Sequence, residues 1–154
     1  MYSDILVPHA GTKAGNKAIE HARQIAKLHH SKITLLHIVE QIPTPPLITF
    51  TQERKDLEKQ IHFARREMKI EMHKRMEKLA QKLRSEKIPT SIKVLHGYPE
   101  EEIARIANSG DYDLIVMAKR KKLPGIKGIL NLGSVSHKVL EQISSPVMLI
   151  DGEK

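Results

Sequence analysis

Short, wholly apolar runs alternate along this chain with longer segments in which apolar residues recur at helical spacing. Asp4-Ile5-Leu6-Val7-Pro8 is a run closed by proline, and from Lys13 to Leu28 the residues Ala14, Ala18, Ala22, Ile25 and Ala26 fall on one helical face. Gly11-Thr12 supplies the turn between them and a candidate N-cap. Ile33 to Val39 is a second strand with almost no polar alternation, as expected of a strand covered on both faces. It is closed by Ile42-Pro43-Thr44-Pro45-Pro46, which suits neither a helix nor a central strand.

The longest periodic segment runs from Gln52 to about Lys87. Leu57, Ile61, Ala64, Met68, Met72, Met76, Leu79 and Leu83 step by three or four, which predicts one long amphipathic helix whose stripe covers the sheet. Ile88-Pro89 stops it, and Ile92 to Leu95 forms a third strand ending at Gly97. Pro99-Glu100-Glu101-Glu102 places proline and acids in a helix first turn, before Ile103, Ala104, Ile106 and Ala107. Leu114 to Ala118 is a fourth strand, followed by a loop of about fifteen residues, a helix from about Ser134 to Ile143, and the strand Val147 to Ile150. Strict β-α alternation with apolar strands predicts an α/β fold: a parallel sheet, helices on both faces and right-handed crossovers.

Composition narrows the chemistry. The 154 residues suit one domain over 1–154, and 40% hydrophobic with 29% charged residues is the balance of a chain that folds. No apolar stretch reaches the roughly 18 residues of a membrane span, and Met1-Tyr2-Ser3-Asp4 lacks the basic start of a secretory leader, so a cytoplasmic protein is expected. With no cysteine there is no disulfide framework, thiolate metal site or cysteine nucleophile. The absence of tryptophan, with only three tyrosines and two phenylalanines, argues against a stacking platform for single-stranded nucleic acid.

The net charge of +8 is concentrated in two places, the long helix and the segment 119–138, which has six basic and no acidic residues. On the helix, Arg65-Arg66, Lys69, Lys74-Arg75, Lys78 and Lys82 could meet nucleic acid, but Glu67, Glu71 and Glu77 are interleaved, so pairing on a solvated face accounts for most of that charge. The methionine stripe at 68, 72 and 76 reads as core, although methionine also suits adaptable grooves. Nine histidines invite a search for a metal site, but His29-His30 are adjacent, and His62 and His73 stand three helical turns apart, so no metal site is predicted. Ser134 has His137 one turn on but nothing to orient that histidine, and no acyl-transfer site is expected.

In an open α/β sheet a ligand sits beyond the C-terminal strand ends, where strand order reverses. That directs attention to Pro8–Thr12, Ile38–Ile42, Gly97–Pro99 and Lys119–Leu132. Gly133-Ser134 opening the last helix offers backbone N–H groups and a hydroxyl to a phosphate, or is an ordinary turn with Ser134 as cap. Neither a Walker sequence nor a G-x-G-x-x-G follows any strand.

Five segments, Ile5 to Pro8, Leu35 to Val39, Asp113 to Met117, Leu132 to Val135 and Ser145 to Ile150, stand in an order and spacing that resemble the universal stress protein family over essentially the whole chain. The resemblance implies a Rossmann-like five-stranded parallel sheet of order 3-2-1-4-5, a homodimer, and in many members an adenine nucleotide between the ends of strands one and four. Nucleotide-binding members carry an acidic residue after strand one and a pattern of Gly, two residues, Gly, nine residues, Gly-Ser/Thr after strand four. Here Gly133-Ser134-Val135 is kept, but the acidic position falls on Ala10, the first two glycines fall on Ala118 and Lys121, and eleven residues separate Lys121 from Gly133.

By this resemblance Gly133, Ser134 and Val135 would meet phosphate and ribose, and Ile38, Met117 and Ala118 would line the base. Pro8, His9 and Ala10 would form the strand-one side, with His9 donating to a ligand or standing uncommitted. Lys119 and Lys121, within Lys119 to Lys122, would supply charge in place of glycine backbone. The expected ligand is ATP, ADP, AMP or another phosphorylated molecule, bound by a regulatory stress-response protein without catalysis. Slow hydrolysis would lack a water-activating carboxylate at Ala10. The alternative is an interaction scaffold with a vestigial pocket, acting through its basic surface on a protein or nucleic acid. Val147, Met148, Leu149 and Ile150, wholly apolar and at a sheet edge, would pair across a two-fold axis to make the homodimer.

Overall fold

The computed structural model describes residues 2–41, 52–119 and 134–152. In chain order the elements are β1 (Asp4–Pro8), α1 (Lys13–His29), β2 (Lys32–Glu40), α2 (Gln52–Ser85), β3 (Thr90–Gly97), α3 (Pro99–Ala107), β4 (Leu114–Lys119), α4 (Ser134–Gln142) and β5 (Val147–Asp151). The five strands form one parallel sheet in the order β3-β2-β1-β4-β5. The predicted elements are thus present, with β3 longer than its apolar segment because Thr90, Ser91 and His96 also pair with β2.

Two cores lie on the two faces of the sheet. Ile5, Val7, Ile33, Leu35, Val39, Val94 and Val116 point to the face covered by α1 and α2, where Ala18, Ala22, Met76, Ala80 and Leu83 meet them. Leu6, Leu36, Ile115 and Met117 point to the other, against Ile103, Ile106 and Ala107 of α3 and Val139 of α4. Alternate residues of one strand therefore serve opposite cores, which is why β1 and β4 read as unbroken apolar runs.

Helix ends follow local chemistry. The Thr12 side chain accepts the Gly15 N–H at the start of α1. At the end of α2, Lys87 takes a left-handed conformation (φ 65°), the Ile88 N–H reaches the Leu83 carbonyl and the Lys87 N–H the Arg84 carbonyl. This closure needs an apolar residue after the turn, and Ile88 is buried against the same core as Leu83.

The long helix departs from expectation. Its 34 residues extend roughly 50 Å, whereas the eight of β3 extend about 26 Å, so the helix outruns the sheet it was expected to cover. Only its C-terminal half is core: Met76 is 1% exposed and Met72 half-buried, but Met68 is 54% exposed, and Leu57 and Phe63 are exposed as well. The methionine stripe is therefore core at Met76 and surface at Met68, because α2 passes the C-terminal edge of the sheet near residue 72. The Met72 Sδ-methyl sits beside Gly11, just past the end of β1.

This division is testable by urea denaturation. Met76→Ala should cost about 2–5 kcal/mol through the cavity it leaves, whereas Met68→Ala should stay within about 0.5 kcal/mol of the parent. Equal losses at both positions would contradict a half-projecting helix.

Candidate functional site

The sheet opens where its order reverses. β1 pairs with β2 through all five residues, as far as Pro8 opposite Leu36, but with β4 only at Ile5–Leu114 and Leu6–Ile115. Beyond Leu6 the two strands separate, while β4 stays paired with β5 as far as Lys119 opposite Asp151. A crevice at the C-terminal edge between β1 and β4 follows from this divergence.

At the end of β1, Pro8 and His9 are buried and Ala10 is exposed. The His9 ring is fully engaged: Nδ1 accepts the Gly11 N–H at 2.9 Å, so the proton lies on Nε2, which donates to Asn16 Oδ1 at 2.9 Å. Its backbone is held too, the N–H donating to the Leu36 carbonyl at 2.8 Å and the carbonyl accepting from His37 Nδ1 at 2.7 Å. His9 is 5% exposed and lies so close to α1 that a Cβ on Gly15 would fall 2.6 Å from its ring, which accounts for a glycine inside that helix. Neither ring nitrogen is left to hold a ligand; the ring instead fixes the turn from β1 into α1. Burial is the main cause pushing the His9 imidazole below its ordinary value, the His37 charge adds to it, and the Asn16 bond opposes it. Burial likewise lowers His37, against the opposing bond to the His9 carbonyl.

On β4, Met117 is 4% exposed and buried among the residues facing α3 and α4, whereas Ala118 is half-buried on the opposite face. Lys119 forms an ion pair with Asp151 at 3.3 Å, which draws its charge toward β5 and away from β1. Ile38 and Val135 are half-buried against the same core as Met117. The expected residues of β1, β2 and β4 therefore gather at one edge of the sheet, but Met117 reaches it as core. Ser134 begins α4. Lys121 and Gly133 lie outside the described residues, as does the proline-rich segment 43–46. Lys138, counted with the basic loop in the sequence, is tied to Glu100 at 2.7 Å and joins α4 to α3.

A cleft of about 460 Å³ lies elsewhere among the described residues. It is lined by Gln41, by His96 of β3 and by His62, Arg65, Arg66 and Lys69 of α2. The basic face of α2 is visible in the sequence but the cleft is not, because it forms only where that face passes Gln41 and His96. No acidic residue stands three or four places from Arg65, Arg66 or Lys69, and that spacing was the available signal.

A doubly wound, parallel α/β sheet whose strand order reverses beside β1 defines the architectural class. Within it, the chain belongs to the universal stress protein family, whose model matches residues 1–151. Universal stress protein MJ0577 of Methanocaldococcus jannaschii is 26% identical over 97% of this chain and 95% of that protein. The solved structure of MJ0577 has a TM-score of 0.78 at 24% identity, covering 98% of this chain and 96% of that one. The fold is also shared with a universal stress protein from Archaeoglobus fulgidus in complex with dAMP, at 18% identity and a TM-score of 0.61 over 97% of this chain and 98% of that one. A universal stress protein in complex with cAMP is similar at 16% identity and a TM-score of 0.62, over 99% of this chain and 98% of that one.

The buried histidines set a pH dependence of stability. Because His9 and His37 have folded values below the ordinary 6.5, the unfolded chain takes up protons first as pH falls. Their contribution is complete above about pH 6.5 and is lost as pH falls from there toward their folded values. Glu20, Glu86 and Glu100, lowered by their cationic partners, lose stability in a separate window below 4.5. The melting temperature should therefore decline between pH 6.5 and 5, and His9→Gln should flatten that decline. An unchanged slope in the variant would show that His9 is not held neutral.

Proposed function

We propose that this universal stress protein is a regulatory, non-catalytic binder of an adenine nucleotide or a similar phosphorylated ligand, at the crevice after β1 and β4. The observation that carries the reading is the early end of β1–β4 pairing, at Leu6–Ile115, in a fold shared with proteins bound to dAMP and cAMP. Ile38 and Ala118 would flank the base, while Gly133 in sequence before α4, with Ser134 and Val135 at its start, would receive phosphate and ribose. Pro8 and Ala10 would bound the strand-one side. Lys121 would contribute a point charge where relatives use glycine backbone, and Lys119 would do so only on releasing Asp151. Ala10 offers no carboxylate to a ribose or to an attacking water, which supports binding without hydrolysis.

A second reading is favoured by the same Ala10, together with the engaged His9 ring: a scaffold whose pocket is vestigial and which acts through its surface on a partner. The two readings separate in a thermal-shift titration with ATP, ADP and AMP at low salt. Binding at a hundred times Kd should stabilise the protein by about 2.7 kcal/mol, and Lys121→Ala with Ser134→Ala should weaken the effect. A flat response at millimolar nucleotide from well-folded protein would leave the scaffold.

The reading includes a homodimer through β5. This strand lies at the edge of the sheet, its Val147 and Leu149 are half-buried, and Met148 is 37% exposed on an unpaired edge. Sizing chromatography should find a dimer in the parent and a monomer or aggregate in Met148→Lys; a dimer that survives the substitution would place the interface elsewhere.

A further inference from the structure

Lys119 ends β4, the strand that stands between the crevice on its β1 side and β5 on the other. Its cation does not rest in the crevice: Nζ lies 3.3 Å from Asp151 Oδ2, across the last rung of the β4–β5 ladder. Alternation along the two strands puts both side chains on the face of Met117 and Leu149. Val135, in the first turn of α4, packs against that same core, so the ion pair and the start of α4 share one face of the sheet.

The two partners are held unequally. The contact is longer than the 2.6–2.9 Å of Arg54–Glu58, Arg84–Glu77 and Lys138–Glu100, and longer than a strong charge-assisted hydrogen bond. Lysine's flexible four-carbon stem covers the roughly 4.8 Å between neighbouring strands, so the ammonium is able to swing toward β1. Asp151 has no such freedom. Its backbone is paired opposite Lys119, and the next residue, Gly152, is wedged against the first turn of α1, where a Cβ would collide with the Ala14 side chain and fall 3.1 Å from its Cα. The side chains are 29% and 31% exposed, so water screens this pair less than one on an open helix face.

We propose that Asp151 is a built-in competitor of the ligand's phosphate for Lys119, and so sets the ligand concentration at which the crevice fills. This rests on the reading of the crevice as a site for a phosphorylated ligand with Lys119 among its cations. Binding exchanges one anion for another at Nζ: Asp151 releases the ammonium, a phosphate oxygen takes it, and the carboxylate, fixed by its backbone, stays close enough to repel the incoming charge. Both effects oppose phosphate and neither touches the base. The penalty therefore falls on phosphorylated ligands and spares a neutral nucleoside.

The test is a calorimetric titration of ATP, AMP and adenosine, at low salt, into the parent, Asp151→Asn, Lys119→Gln and the double variant. Asparagine keeps the shape of the side chain and removes its charge, so the melting temperature without ligand should stay close to the parent's. Asp151→Asn should tighten ATP and AMP by about fivefold and leave adenosine unchanged. Asp151→Ser, which removes the charge with a smaller side chain, should give the same gain. In the Lys119→Gln background the gain should shrink to the repulsive part alone. An equal gain for adenosine would overturn the proposal, as would a gain undiminished without Lys119. If the parent binds ATP and Asp151→Asn binds it no better, the competitor falls and the nucleotide reading stands. If the parent is silent at millimolar nucleotide and Asp151→Asn binds, the competitor stands and the parent's crevice is held against nucleotide. Silence from both folded proteins would overturn both.

Discussion

The architecture depends on β1 being held unequally by its two neighbours. Full pairing with β2 and two-residue pairing with β4 force the strands on either side of the switch point apart, and backbone groups past Leu6 on that side are left outside the ladder. Such groups need partners or water, so the gap is a place where the fold leaves polar backbone to be satisfied by something else. The strength of the β1 anchor makes the gap tolerable. Ile5, Leu6 and Val7 have no exposed surface and send side chains into both cores, so the strand is fixed by packing where it is not fixed by hydrogen bonds.

The turn after β1 is fixed with equal economy of residues. One imidazole accepts from Gly11, donates to Asn16 and fills the space left by Gly15, so a single buried side chain sets both the exit from the strand and the first turn of α1. A cationic ring could not serve, because a proton on Nδ1 would displace the Gly11 bond. On the other side of the sheet, Glu86 after α2 bonds to Arg23 and Lys27 of α1, tying together the two helices that cover that face.

Much of this was legible in the chain. The strands could be read because burial on both faces leaves no polar alternation, and the helices because Pro99, the acids after it and Thr12 mark their starts. The topology in turn located the edge at which a ligand would sit. What could not be read was how much of α2 the sheet has room for, since periodicity reports a face and not the extent of the surface opposite it; Met68 and Met76 look alike in sequence and differ in burial from 54% to 1%. The commitments of His9 to Asn16 and of Lys138 to Glu100 were also hidden, the first by a close approach of backbone to ring and the second by a gap of 38 residues. The cleft beside the basic stripe at 62–69 was hidden as well, because it forms only where that face of α2 passes Gln41 and His96.

The projecting half of α2 has one more consequence. Among the described residues its N-terminal half carries little buried apolar surface, whereas the part from Met76 onward belongs to the core. Opening free energy must therefore climb along a single continuous helix, from near that of an isolated peptide at one end to that of global unfolding at the other. A single helix of this protein thus spans the whole range from fraying arm to core element.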